Sequence, residues 1–82
     1  MKLSKHFIDN WRKRVSDEIP TVDDVREIIR GAVRVQRGKE LLFPDGSPFR
    51  QLAIWWSPSA DLIIKVDTKH NTVVSVLGRI NQ

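Results

Sequence analysis

Gln51-Leu-Ala-Ile-Trp-Trp56, Asp61-Leu-Ile-Ile-Lys-Val-Asp67 and Thr72-Val-Val-Ser-Val-Leu-Gly78 are the runs whose reading decides the fold. Each is rich in β-branched or aromatic residues and bounded by turn formers, the pattern of a strand. Ser57-Pro-Ser59 separates the first pair and Thr68-Lys-His-Asn71 the second, so both connections suit antiparallel hairpins. A meander this apolar must bury one face. The helical patterns able to cover it all precede residue 32.

Ser4 is placed to cap a first helix running to about Ser16. Leu3, Phe7, Ile8, Trp11 and Val15 recur at spacings of three and four and form its apolar stripe. His6, Asn10, Lys13 and Arg14 make a second stripe along one flank, where a helix meets the edge of what it covers. Pro20 ends this segment, because the residue before proline is driven out of the α region. Thr21 then opens a second helix with a capping-box spacing to Asp24, and Val22, Val25, Ile28, Ile29 and Ala32 form its buried stripe.

From Ala32 the period changes to two, which predicts a strand to about Arg37, a tight turn at Gly38-Lys39 and a short partner strand over Glu40-Leu-Leu-Phe43. Pro44-Asp-Gly-Ser-Pro48 is the strongest breaker and must be a surface loop. The expected architecture is one α+β domain spanning 1–82, with two N-terminal helices packed on one face of a four- to five-stranded antiparallel meander.

At 82 residues without cysteine, neither disulfides nor a thiolate metal site can staple the fold, so the core must be apolar. Forty per cent hydrophobic residues, with three Trp and three Phe, are enough for one and exclude a disordered chain. Met1-Lys-Leu-Ser-Lys5 does not read as a signal peptide, and no run has the length of a membrane span. The expectation is therefore a cytoplasmic protein without a membrane partner. Lys2, Lys5, Arg12, Lys13 and Arg14 stand against Asp9 alone within residues 1–14, and the net charge is +4. That balance favours nucleic acid or an acidic protein, unless it is simply a solvated helix face. Phosphate-binding glycine loops, metal-spaced histidine clusters and nucleophile elbows are all missing, so no metal or other cofactor is expected.

Alternation along the strands sends Trp55 and Trp56 to opposite faces, so one packs in the core and its neighbour lies on the open face or at an edge. An exposed Trp beside basic residues can stack on a nucleobase, and Trp55 is the candidate. An even-length turn over 68–71 pairs Asp67 with Thr72, Lys65 with Val74 and Ile64 with Ser75. Lys65 and Ser75 then point to opposite faces, a relation that a one-residue bulge would reverse. Lys65 and Asp67 are charges within apolar strands, and Ser75 is the polar residue of its run; a buried Ser bonding a carbonyl would also account for the last.

The succession of His6 with Arg12 and Arg14 in Lys5-His-Phe-Ile-Asp-Asn-Trp-Arg-Lys-Arg14, of Pro20-Thr-Val-Asp-Asp-Val-Arg-Glu-Ile-Ile29, and of the closing pair Leu62-Ile-Ile-Lys-Val-Asp67 and Thr72-Val-Val-Ser-Val-Leu77 resembles small phage- and plasmid-borne members of one ribonuclease superfamily. That superfamily groups barnase, EndoU, colicin nuclease domains and RelE-like toxins. The resemblance implies helices on one side of an antiparallel sheet and a metal-independent endoribonuclease toxin held by an acidic protein inhibitor. It places the catalytic residues on His6, Lys65 and Ser75, and the family's arginines on Arg12 and Arg14; the basic charge of the first helix adds Lys13 to Arg12 and Arg14 as expected nucleic-acid contacts. Ser75 stands where related chains commonly have Thr. A non-catalytic module binding nucleic acid or protein, and a homodimer paired through edge strands without a ligand, are the alternatives to a monomeric toxin. Convergence separates them: the enzyme needs His6, a basic residue and a hydroxyl in one cleft.

Overall fold

Seven elements follow one another in the computed structural model, which describes residues 1–78: β1 (Lys2–Leu3), α1 (Lys5–Arg14), α2 (Val22–Arg30), β2 (Val33–Leu42), β3 (Pro48–Ser57), β4 (Leu62–Asp67) and β5 (Thr72–Leu77). The strands form one sheet in the order β1-β5-β4-β3-β2, with β1 parallel to β5 and every other pair antiparallel. The α+β class and the two helices agree with the sequence reading. The sheet, however, is mixed and not a purely antiparallel meander. The reason is β1, whose two residues are too few to show a period. Lys2 N–H donates to the Asn71 carbonyl at 2.9 Å and Ser4 N–H to the Val73 carbonyl at 3.0 Å, so the chain pairs with β5 just before α1 starts.

Ser4 begins α1 as expected, its Oγ accepting from the Phe7 N–H at 3.0 Å. The apolar stripe buries Phe7 and Trp11, whose rings lie 5.9 Å apart, but the helix ends at Arg14 and leaves Val15 exposed. In α2 the capping box is complete: Asp24 N–H donates to Thr21 Oγ1 and Thr21 N–H to the Asp24 carboxylate, each at 3.1 Å. A helix this short depends on such a cap. Thr21→Ala is expected to cost about 1 kcal/mol and to lower the melting temperature by roughly 4–8 °C in a thermal scan.

Phe7, Trp11 and Val25 from the helices meet Leu62, Ile64 and Val66 of β4 and Val73 and Val76 of β5 in one core. Ile28 and Ile29 pack against that cluster only half-buried, because α2 lies at its margin. Ile54 sits opposite Lys65 and therefore belongs to the other face of the sheet.

The tight turn expected at Gly38-Lys39 is absent, and β2 runs unbroken for ten residues. Its pairing with β3 slips between Arg34 and Gln36 and again between Gln36 and Lys39, so each slip leaves one extra residue on β2. Bulges of this kind take up a glycine without reversing the chain. The reversal comes instead in the loop over 43–47, where Ser47 N–H and Oγ both donate to Asp45 Oδ1 and Gly46 takes φ +90°. Asp61 and Asn71 hold φ near +50° in the next two turns, a conformation that Asp and Asn tolerate best among side chains with a Cβ.

The β4–β5 register differs from the even-length expectation in one place. Asp67 faces Thr72, but the pairing shifts between Val66 and Lys65, so that Lys65 faces Ser75 and Ile64 faces Val76. A bulge in β5 thus puts Lys65 and Ser75 on the same face.

Candidate nucleic-acid interface

The paired registers lay out the sheet face that turns away from the helices, because directly opposed residues share a face. Its first row is Val33, Trp56, Ile63 and Leu77, crossing β2, β3, β4 and β5. The second is Gln36, Ile54, Lys65 and Ser75, and the third is Lys39, Leu52, Asp67 and Thr72. Beyond the limit of β4, Leu41 faces Arg50 in a fourth row. The face thus grades from wholly apolar at one end to increasingly charged at the other.

Trp56 is the exposed member of the tryptophan pair, at 41%. Trp55, the candidate from sequence, is instead half-buried against the core, and the Arg34 guanidinium lies 5.6 Å from its ring centroid. The reason is register: Trp55 faces Ile64, a core residue, so its neighbour must take the other side. Alternation showed that the two rings diverge, but only the pairing partner shows which one goes where.

Lys65 and Ser75 are adjacent and half-buried on this open face. His6 is not with them. It belongs to α1, whose Phe7 and Trp11 pack on the opposite, core-facing side of the sheet. The exposed His6 ring accepts at Nε2 from Asn10 Nδ2, one turn on, at 2.9 Å. Arg14, a predicted RNA contact, donates from Nη1 to the Val76 carbonyl at 2.9 Å, and Ser4 Oγ donates to the Val74 carbonyl at 3.3 Å. Both side chains therefore cover the outer edge of β5, where β1 has ended. Arg12 donates to the Asp17 carbonyl at 3.2 Å and Lys13 is exposed. Of the cationic triplet, only Lys13 has no hydrogen bond or ion pair among the described residues.

A titratable pair missed from sequence lies at the foot of the same face. Asp67 is 4% exposed; its Oδ1 accepts from the N–H groups of Gln51 and Lys69, and its Oδ2 lies 2.6 Å from His70 Nδ1. Burial alone would push this carboxyl up. The His70 side chain, the backbone donors and the His70 charge together outweigh burial and hold it below the ordinary aspartate value. The signal was present in the sequence as an aspartate closing an apolar strand three residues before a histidine. It says nothing of Gln51, which reaches the carboxylate from β3. No group of three or more His, Cys, Asp or Glu able to hold a metal occurs among the described residues. None of their helices is long and apolar enough to cross a membrane.

No family model, no curated protein and no solved structure matches the chain.

Proposed function

We propose that this chain is a non-catalytic binding module that holds nucleic acid on the open face of its sheet. Trp56 stacks on a base while Lys65, one row away, meets a phosphate. One observation carries the reading: an exposed tryptophan stands within an apolar row next to the row of a half-buried lysine, on the face that no described helix covers. Base–aromatic stacking tolerates any sequence, and a nearby cation supplies the electrostatic part of the affinity. The central position of Lys65 also weighs against two copies stacked face to face, which would bring like charges together in a drying interface.

The endoribonuclease reading asks His6, Lys65 and Ser75 to act on one phosphodiester, and the sheet stands between the first and the other two. Pairing of two chains through edge strands is disfavoured for a separate reason. The outer edge of β5 is covered by β1, Ser4 and Arg14, and β2 carries bulges together with Arg34, Arg37 and Lys39, devices that blunt an edge. The basic balance leaves an acidic polypeptide as the competitor for the face.

Titrating the full chain with mixed-sequence RNA and DNA oligomers at low salt tests the proposal. Trp56→Ala is expected to weaken binding by about 1–3 kcal/mol with the melting temperature little changed. Affinity for polyglutamate but for neither nucleic acid would transfer the face to an acidic protein partner. A Trp56→Ala chain that binds as tightly as the parent would remove the face from the interface.

A further inference from the structure

Along β3 and β4 the rows of the open face are two residues apart, which is about 6.8 Å, and the bulged β2 and β5 take three residues at some of the same steps. Three successive rows each carry one cation: Lys65 in the second, Lys39 in the third and Arg50 in the fourth. Lys65 lies on β4, Lys39 on β2 and Arg50 on β3, so the three straddle the line of β3. Trp56, also on β3, occupies the row before them. Resting on the nucleic-acid reading above, the geometry points to a narrower ligand: a single strand laid along β3, about one nucleotide to a row. One base lies on Trp56 and three consecutive phosphates meet Lys65, Lys39 and Arg50.

The spacing suits successive phosphates of an extended, unstacked nucleotide chain; a duplex strand, which rises about 3.4 Å per nucleotide along the axis but winds around it, is set apart by its bases and not by this distance. A duplex would keep its bases inside the stack, beyond reach of a ring standing on a sheet. Three features of the face agree with an anionic chain over β3. Arg50 is half-buried, its guanidinium 5.3 Å from the Phe49 ring centroid and its Nε shielded from solvent without a hydrogen-bond partner, so the ring contact leaves hydrogen-bonding capacity unused. Lys39 is exposed and Lys65 makes no ion pair among the described residues. The one acid of the three rows, Asp67, already accepts from Gln51, Lys69 and His70, which screens it from a passing phosphate. The polar residues of the second row, Gln36 and Ser75, flank the path; Gln36 is itself tied to the Leu52 carbonyl at 3.1 Å.

The experiment is a length series of oligouridylate and oligothymidylate, from two to eight nucleotides, with a matched duplex, bound to the full chain over a range of salt. Affinity is expected to climb to about four nucleotides and then change only by the number of equivalent positions. The single strand should bind at least about tenfold more tightly than the duplex, and the logarithm of affinity should fall with the logarithm of salt at a slope of about −2, the value for three phosphates on a single strand. Lys65→Gln, Lys39→Gln and Arg50→Gln should each reduce that slope by about 0.7, whereas Lys13→Gln on α1 should leave it unchanged. Lys39 is exposed, so its variant remains informative if Arg50→Gln folds poorly. Preference for the duplex, a slope altered by Lys13→Gln instead, or affinity that rises evenly through eight nucleotides would overturn the single-strand path while leaving nucleic-acid binding in place. Absence of binding to every oligomer at low salt would overturn both.

Discussion

Phe7→Ala should leave the chain largely unfolded at temperatures where the parent is folded. Phe7 is fully buried and touches both the Trp11 ring and the strand residues that α1 covers. Truncating a buried phenylalanine costs about 3–5 kcal/mol through lost transfer energy and the cavity left behind. A domain of this size has about 5–15 kcal/mol in all, and usually the lower part of that range. The neighbours cannot close the gap readily, since Val73 and Val76 are held by the β5 ladder. Urea unfolding followed by circular dichroism measures the effect. A midpoint within a few tenths molar of the parent would show that α1 does not pack on the sheet as described. Ile28→Ala, at the margin of the core, should be milder.

Asp67→Ala is the second large effect, and it is tied to pH. The substitution strands the Gln51 and Lys69 N–H groups and frees His70, so the β4–β5 turn keeps its Thr68 bonds to Gln51 but loses the carboxylate that joins it to the Gln51 N–H. Charge-assisted hydrogen bonds of this kind and the buried donors they satisfy make a cost of about 2–4 kcal/mol reasonable. Asp67→Asn keeps an acceptor and should lose less. Because the folded carboxyl titrates below its unfolded value, the folded state binds the proton more weakly than the unfolded one. Its contribution is therefore complete above the ordinary aspartate range and is lost as pH falls through the lower folded value. Melting temperatures taken from neutral pH downward should fall less steeply in Asp67→Asn than in the parent. Parallel curves would mean that the carboxylate is not held in its ionised form by the fold.

Much of the architecture is legible in short stretches of sequence. Ser4 and Thr21 cap the two helices because a side-chain oxygen must satisfy the first free N–H groups, and that demand is local. Phe7, Trp11 and Val25 declare the buried stripes by their spacing. The loop over 43–47 is fixed by Pro44, Gly46 and Pro48, whose backbone preferences need no partner. Gly38 misleads for the opposite reason: a glycine serves a turn or a bulge equally well, and β3 decides between them.

The working surface is a matter of tertiary structure. Composition and period establish by themselves an α+β chain with a basic first helix, a strand-rich second half and two tryptophans facing opposite ways. They do not say that Trp56 is the outward one, that Lys65 faces Ser75, or that Lys39, Lys65 and Arg50 fall in successive rows. A strand's own sequence sets only which residues alternate. Which set faces the core depends on pairing with a strand distant in the chain, and a single extra residue reverses it. The bulges in β2 and β5 are such residues. The same dependence separates His6 from Lys65: each belongs to an amphipathic element readable in isolation, but the side of the sheet on which each stands is settled only when helix and strands pack together.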